Sequence, residues 1–354
     1  MNQGFWSKLK KPFFVLAPMA DVTDIAFRGI IAKYSLHGKA GGGPDVFWTE
    51  FVSADGLASP KGRAALMTDL AYTEAERPIV AQVFTSNPDN MRAAAKLILE
   101  LGFDGLDINM GCPDRTIEKQ GAGAALMKDF EIARKVIEAA KEGVDGKIPV
   151  SVKTRIGYNK DILEEWLSVL LECGPAAVTV HARTRKDMSK VPARWEAVER
   201  AVKLRDKLKS EALIIGNGDV RDIADGKQKA LETGCDGIMI GRGIFGNPWL
   251  FANLARAKGD RQVEHPDEIS RASEIEEGCQ PTVKERLLVL VEHTELFEKL
   301  LGDKKNFSIM KKHYKAYAEG FPGAKELRVK LMDTKNSAEV RGIVNDFLKT
   351  YTFQ

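Results

Sequence analysis

The sequence predicts an α/β protein, a (β/α)8 barrel followed by a smaller, all-helical C-terminal domain. Three observations carry this expectation. Eight short apolar or β-branched runs recur about every 30 residues, helical patterns lie between most of them, and after Trp249 no strand pattern returns. The length of 354 residues suits one barrel of ~250 residues with an appendage.

The runs occupy residues 14–17, 46–49, 79–83, 105–108, 149–152, 177–180, 213–215 and 237–240. Continuous apolar strands alternating with helices indicate a parallel sheet covered on both faces. Eight such units close into a barrel, whereas an open doubly wound sheet more often has five or six. Helical periodicity is clearest at 90–101, 129–140, 160–172, 195–207 and 223–233, and returns at 283–301 and 307–318. Gly102, Gly174 and Gly234 stand where helix C-caps lead into the next strand. Residues 38–44, with four glycines, read as a flexible loop before the second strand. The expected organisation is a barrel over 1–255, a linker over 256–280 and a helical domain over 281–354.

Hydrophobic residues make up 44% and charged residues 29% of the chain, the balance of a globular protein with a sizeable core. A net charge of +3 advertises no global affinity for nucleic acid, so local patches matter. Between 264 and 298 ten acidic residues face three basic ones, and between 304 and 330 eight basic residues face two acidic ones. Tyr314, Tyr317 and Phe321 interleave with those lysines, so the segment reads as a solvated helix face or as a surface for nucleic acid. No apolar run approaches the ~20 residues of a membrane helix. Pro18 and Asp21 interrupt the one N-terminal stretch that imitates a signal peptide. A cytoplasmic protein with no membrane contact is expected, and no obligate protein partner is evident. The four cysteines, Cys112, Cys173, Cys235 and Cys279, lack the paired spacing of a metal site or disulfide framework.

Polar residues at the C-terminal ends of barrel strands meet at one mouth. Here the successive strands deliver Pro18-Met19-Ala20, Thr49-Glu50, Gln82, Asn109 with Cys112, Lys153 with Arg155, His181 with Arg183 and Arg185, Asn217-Gly218-Asp219, and Gly241-Arg242. The last two sets match the usual phosphate site of the seventh and eighth loops, where backbone N–H groups face an anion. Lys153 suits the N1–C2 edge of a flavin ring, and Gln82 and Asn109 suit its pyrimidine edge. Taken singly, Lys153 reads equally well as an ion-pair partner and Gln82 as a satisfied strand-end amide. Cys112 sits in a strand-to-helix turn between Gly111 and Pro113, where a thiol faces the pocket and serves as acid or nucleophile. Cys173 and Cys235 read as small buried hydrophobes. His181 is placed to approach a flavin phosphate or a substrate base. Arg155, Arg183 and Arg185 read as a basic rim for a polyanion, or else as a solvated rim paired with acids.

The motifs Leu16-Ala17-Pro18-Met19-Ala20-Asp21-Val22-Thr23-Asp24, Thr49-Glu50, Ala81-Gln82, Asp107-Ile108-Asn109-Met110-Gly111-Cys112-Pro113, Val152-Lys153-Thr154-Arg155, His181-Ala182-Arg183-Thr184-Arg185, Gly216-Asn217-Gly218-Asp219 and Gly241-Arg242-Gly243 follow one another across nearly the whole barrel. With Lys311-Lys312-His313-Tyr314, Gly320-Phe321-Pro322-Gly323 and Glu326-Leu327-Arg328, the chain resembles the tRNA-dihydrouridine synthases of bacterial type. The resemblance implies FMN-dependent reduction of the C5=C6 bond of selected tRNA uridines, with NADPH as electron source. It implies that Pro18, Met19 and Ala20 line the flavin, that Gln82 and Lys153 bind its ring, and that His181 stands near the phosphate or ring. Asn217, Gly218, Asp219, Gly241 and Arg242 would hold the phosphate end.

Cys112 resembles the family's proton donor, delivering to uracil C5 while hydride reaches C6 from the flavin. The base must then be flipped out of folded RNA. Asn109, Arg155, Arg183, Arg185, Lys311, Lys312 and Arg328 become the expected tRNA contacts. Residues 186–192 lack the aromatic-plus-glycine pattern expected before Ala193-Arg194-Trp195. Two other readings compete. A flavin barrel acting on a free pyrimidine, like a dihydroorotate dehydrogenase, needs no helical domain or basic patch. A non-catalytic RNA-binding barrel has no need of the intact Cys112, Lys153 and Asn217 set.

Overall fold

The computed structural model describes residues 3–252 and 281–351. The expected linker and Cys279 lie outside the described residues. Eight parallel strands form one sheet: β1 (Phe13–Leu16), β2 (Phe47–Ser53), β3 (Ile79–Phe84), β4 (Gly105–Met110), β5 (Val150–Arg155), β6 (Ala177–His181), β7 (Leu213–Asn217) and β8 (Gly237–Ile240). The order β1-β8-β7-β6-β5-β4-β3-β2 curls back on itself. A parallel bridge joins Val15 to Val46, and the Leu16 N–H donates to Val46 O, so the first and second strands meet. The predicted barrel is observed.

Every sequence-predicted strand is present, and several run further than their apolar core. β4, β5, β6 and β7 extend through Asn109, Lys153, His181 and Asn217. Alternation explains this, because every second side chain enters the barrel interior while its neighbours pack outward under the helices. Along β3, β4 and β5 the inward series is Val80-Gln82, Gly105-Asp107-Asn109 and Ser151-Lys153-Arg155, and register places Gln82 beside Asp107 and Asn109 beside Lys153. The lower interior is apolar. Trp6 from an N-terminal turn packs there against Phe13 and Trp48, with Val80, Ala177, Leu213, Ile215 and Met239 in the same cluster.

Helices follow the strands, notably Pro88–Glu100, Phe130–Gly143, Leu163–Glu172, Glu196–Lys207 and Ile223–Thr233. The last ends at Gly234, whose φ of 68° is left-handed and whose N–H bonds to Ala230 O. Gly102 and Gly174 also take positive φ, so the three glycine-marked helix ends stand where the sequence places them. Residues 38–44 form a series of turns, with the Gly43 N–H bonded to Ser35 O.

Two compact units emerge: Met1–Thr23 with Pro44–Arg242, and Asp24–Gly43 with Gly243–Gln354. The segment between β1 and β2, including helix Ile25–Tyr34, thus groups with the C-terminal helices. That second unit contains helices Val283–Leu301, Lys311–Tyr317, Ala324–Met332 and Ser337–Thr350. Thr282 and Glu285 form a capping box at the first of them. Tyr314 and Tyr317 are buried in the core of this unit with Leu290, Phe297 and Met310. Their interleaving with lysines is therefore helix amphipathicity, and the two rings supply packing area instead of an RNA-stacking surface. Among the described residues no helix is long and apolar enough to cross a membrane.

Candidate active site at the strand ends

The polar interior begins at Asp107, a fully buried carboxylate. Ser151 Oγ donates to it at 2.5 Å and Gln82 Nε2 at 2.6 Å. Asn109 Nδ2 in turn donates to Gln82 Oε1 at 2.9 Å. Asn109 Oδ1 accepts the backbone N–H groups of Gly111 and Cys112, at 3.2 and 2.9 Å. Burial pushes Asp107 up to about 6, against the pull of Ser151, Gln82, Lys153 and the nearby Trp48 indole.

Lys153 sits one register step above, with Nζ 3.3 Å from Asn217 Oδ1. Burial and the neighbouring Arg155 lower it to about 8, while Asp107 favours its charged form. Asn217 is fixed by a 2.9 Å bond from Nδ2 to Met239 O. Burial, then the cations Arg155, Lys153, Arg183 and Arg242, hold His181 well below the ordinary histidine range. Its imidazole is neutral at physiological pH.

Cys112 is half-buried and packs beside Phe84, Ile117 and Ala122. Burial raises its thiol, against the pull of the Asp114 N–H and of the Arg155 and Lys153 charges, so the group is a protonated thiol at neutral pH. Asp114 caps the short helix Arg115–Lys119 that follows. Cys173 and Cys235 are buried free thiols at helix ends, in keeping with their reading as small hydrophobes.

The three strand-end arginines are committed to the loops around this turn. Arg155 is buried; its Nε donates to Gly111 O at 2.8 Å, and Nη1 donates to Thr184 O and Met188 O, each at 3.0 Å. Arg183 is also buried, bonding Val191 O at 2.6 Å and pairing with Asp219. Arg185 pairs with Glu118, just beyond the Cys112 turn, and lies over the Tyr158 ring. Residues 186–192, which depart from the expected pattern, are thus held from beneath by Arg155 and Arg183, while Asp187 accepts the Thr184 N–H and pairs with Arg194.

Beside His181, Gly218 has φ of 127°, and a Cβ there would come within 2.8 Å of Ala193 Cβ and 3.3 Å of the His181 ring. Trp195 Nε1 fixes its carbonyl at 2.9 Å. A Cβ on Gly241 would meet only Ala17 and Met19, at 3.7 Å. The bare backbone therefore leaves room for an incoming group beside Met19. Arg242 is mostly exposed and bonds Asp219 Oδ1 at 3.1 Å. Met19 itself is anchored by its N–H to Thr23 Oγ1 at 2.9 Å.

Gln82, Asn109, Cys112, Lys153 and Asn217 are therefore linked or adjacent, with His181, Arg155 and Arg183 around them. Lys311, Lys312 and Arg328 belong to the other unit. There Lys312 is exposed, Lys311 half-buried, and Arg328 bonds Ala318 O at 2.6 Å. Sequence reasoning assigned no role to Asp107, Ser151 or Glu118. A lone acid two residues before Asn109 in an apolar strand was the available signal for Asp107. Glu118 had none, since its partner is distant in sequence.

The chain matches the family model described as Dihydrouridine synthase (Dus) over residues 15–352. It belongs to the dihydrouridine synthase family. Among relatives of this family member, a probable tRNA-dihydrouridine synthase of Staphylococcus aureus (strain MRSA252) is 38% identical over 349 residues, covering 98% of this chain and 96% of the relative. Probable tRNA-dihydrouridine synthase 2 of Bacillus subtilis (strain 168) is 39% identical over 353 residues, covering 99% and 98%. Among solved structures, 6-hydroxypseudooxynicotine amine oxidase from Pseudomonas geniculata N1 superposes with a TM-score of 0.51 at 13% identity, covering 69% of this chain and 47% of that one. A 2-naphthoyl-CoA reductase superposes with a TM-score of 0.51 at 9% identity, covering 69% and 50%. These two likenesses are likenesses of fold.

Proposed function

We propose that this dihydrouridine synthase family member is a cytoplasmic oxidoreductase that reduces the C5=C6 bond of selected uridines in tRNA, with FMN as its flavin and NADPH as electron source. The observation that carries the reading is the donor set at the strand ends, a half-buried lysine and two buried amides near a protonated thiol, in a chain of this family. The residues fit a flavin. Lys153 offers a charge to the ring's N1–C2 edge, and Gln82 and Asn109 offer amides to its pyrimidine edge. Pro18, Met19 and Ala20 line one side, and His181 borders the ring or phosphate as a neutral imidazole. Asn217, Gly218, Asp219, Gly241 and Arg242 frame the phosphate end, where open backbone beside Met19 suits an anion.

Bound flavin supplies hydride to uracil C6. The protein's own part is to hold an acid at C5, and a raised thiol on a fixed turn keeps its proton until carbanion character develops there. Asn109 has a second amide proton for a uracil oxygen. Arg155, Arg183 and Arg185, whose donors already bond the loops, present a polyanion with charge more than with free N–H groups. Lys311, Lys312 and Arg328 extend tRNA contact to the helical unit, through salt-sensitive phosphate pairing. The free-pyrimidine and non-catalytic readings gain no support from the relatives, whose names describe tRNA enzymes.

The test is mass spectrometry of tRNA incubated with the protein, FMN and NADPH. Gain of two hydrogen atoms at discrete uridines is expected. Unchanged uridine at every position, with a free pyrimidine turned over instead, refutes the assignment.

A further inference from the structure

The bonds that hold the Cys112 turn have a direction. At the upper end, the Gly111 and Cys112 N–H groups can only donate, so Asn109 must offer them its Oδ1. That turns Asn109 Nδ2 toward Gln82, which must offer Oε1 and is left with Nε2 pointing down. Each amide has two orientations that fill the same space. The chain closes only if its lower end is an acceptor.

Asp107 is that acceptor, and it fixes the polarity from below as the two turn N–H groups fix it from above. It is fully buried, and its two oxygens take one donor each, from Gln82 and Ser151. We propose that Asp107 is a positioning residue for the Cys112 turn, acting through Gln82 and Asn109 by fixing the direction of both amides. A neutral amide in its place can donate as readily as accept, so the direction of Gln82 and Asn109 is then held from above only, by the Gly111 and Cys112 N–H groups, and the reversed orientation loses one of its two penalties. Asp107 has a second effect on the same site, because its carboxylate lies one register step from Lys153 and favours the ammonium form. The proposal rests on Cys112 being the acid of the site, but its test does not depend on turnover.

The experiment measures alkylation of Cys112 by iodoacetamide in the flavin-loaded protein, read by peptide mass so that the other thiols do not interfere. Asp107→Asn is expected to speed the reaction by up to about tenfold, the worth of one hydrogen bond, as the reversed amide chain becomes accessible and the turn N–H groups lose their acceptor. Combining Asp107→Asn with Gln82→Glu reverses the polarity of the lower link while keeping every bond. The new amide donates to the new carboxylate, which still accepts from Asn109, and the rate is expected to return toward that of the unaltered protein. Asn109→Ala cuts the chain one link higher and is expected to speed alkylation as Asp107→Asn does. An unaltered rate in Asp107→Asn, or no recovery in the double variant, overturns the proposal. Should Asp107→Asn fail to fold, an unaltered rate in Asn109→Ala overturns it on its own. Loss of tRNA reduction in Cys112→Ala tests the acid role separately, so the two failures are distinguishable.

Discussion

Asp107, Ser151, Gln82 and Asn109 in the barrel unit are buried polar groups joined end to end, each bond between 2.5 and 2.9 Å. In the helical unit His293 and His313 are buried too, ring against ring with centroids 4.6 Å apart, beside Phe27 and Tyr317. There neither ring nitrogen of His293 has a hydrogen-bond partner, nor does Nε2 of His313. Both clusters carry a desolvation cost. In the first it is offset by directed bonds that also orient the Cys112 turn, and in the second the His293 ring is left to packing in an apolar core. Burial of polar groups by itself does not mark a functional site. Direction does.

Replacement by apolar residues separates the two most sharply. Gln82→Leu strands both Asp107 and Asn109, and is expected to cost roughly 3 kcal/mol or more in a denaturant titration. His293→Phe removes an unpartnered polar ring and is expected to lie within about 1 kcal/mol of neutral, on the stabilising side. Equal costs at the two positions would erase the difference between the two clusters.

A smaller effect comes from pH, and it has opposite sign in the two clusters. Burial lowers His313 from 6.5 to about 3, with Lys312 adding to the shift, so the folded state binds fewer protons than the unfolded one in that interval. Stability from this group is intact above pH 6.5 and is lost as pH falls toward 3. Asp107 is raised from 3.8 to about 6, so its carboxyl favours the folded state while protonated and loses that advantage as pH rises from 3.8 to 6. Urea midpoints between pH 4 and 6 are expected to rise less steeply with pH in His313→Phe than in the unaltered protein, and more steeply in Asp107→Asn. Parallel profiles would contradict both assignments.

The barrel was legible because its signals are local. Apolar runs mark β1 to β8, and Gly102, Gly174 and Gly234 end the helices before three of them. The family resemblance was legible for the same reason, since its motifs sit at consecutive strand ends. What could not be read was anything depending on which side chains face inward together. Asp107 gains its meaning from Gln82 and Ser151 on neighbouring strands, and Glu118 gains its own from Arg185, 67 residues away. Tyr314 and Tyr317 misled because spacing alone does not say whether an aromatic among lysines faces the core. Grouping of helix Ile25–Tyr34 with the C-terminal helices is likewise a tertiary fact, reported by contacts such as Tyr34 to Glu292 at 2.6 Å.

The barrel cluster matters only if the turn it orients carries the acid. The most direct measurement loads the protein and its Cys112→Ala variant with FMN, reduces both with NADPH, and follows reoxidation by unmodified tRNA in a single turnover. The variant is expected to reduce its flavin normally and to be reoxidised by tRNA roughly 100- to 10,000-fold more slowly, the range for loss of a positioned acid. Reoxidation by tRNA at the unaltered rate would show that the proton reaches C5 from elsewhere and that the Cys112 turn serves another purpose.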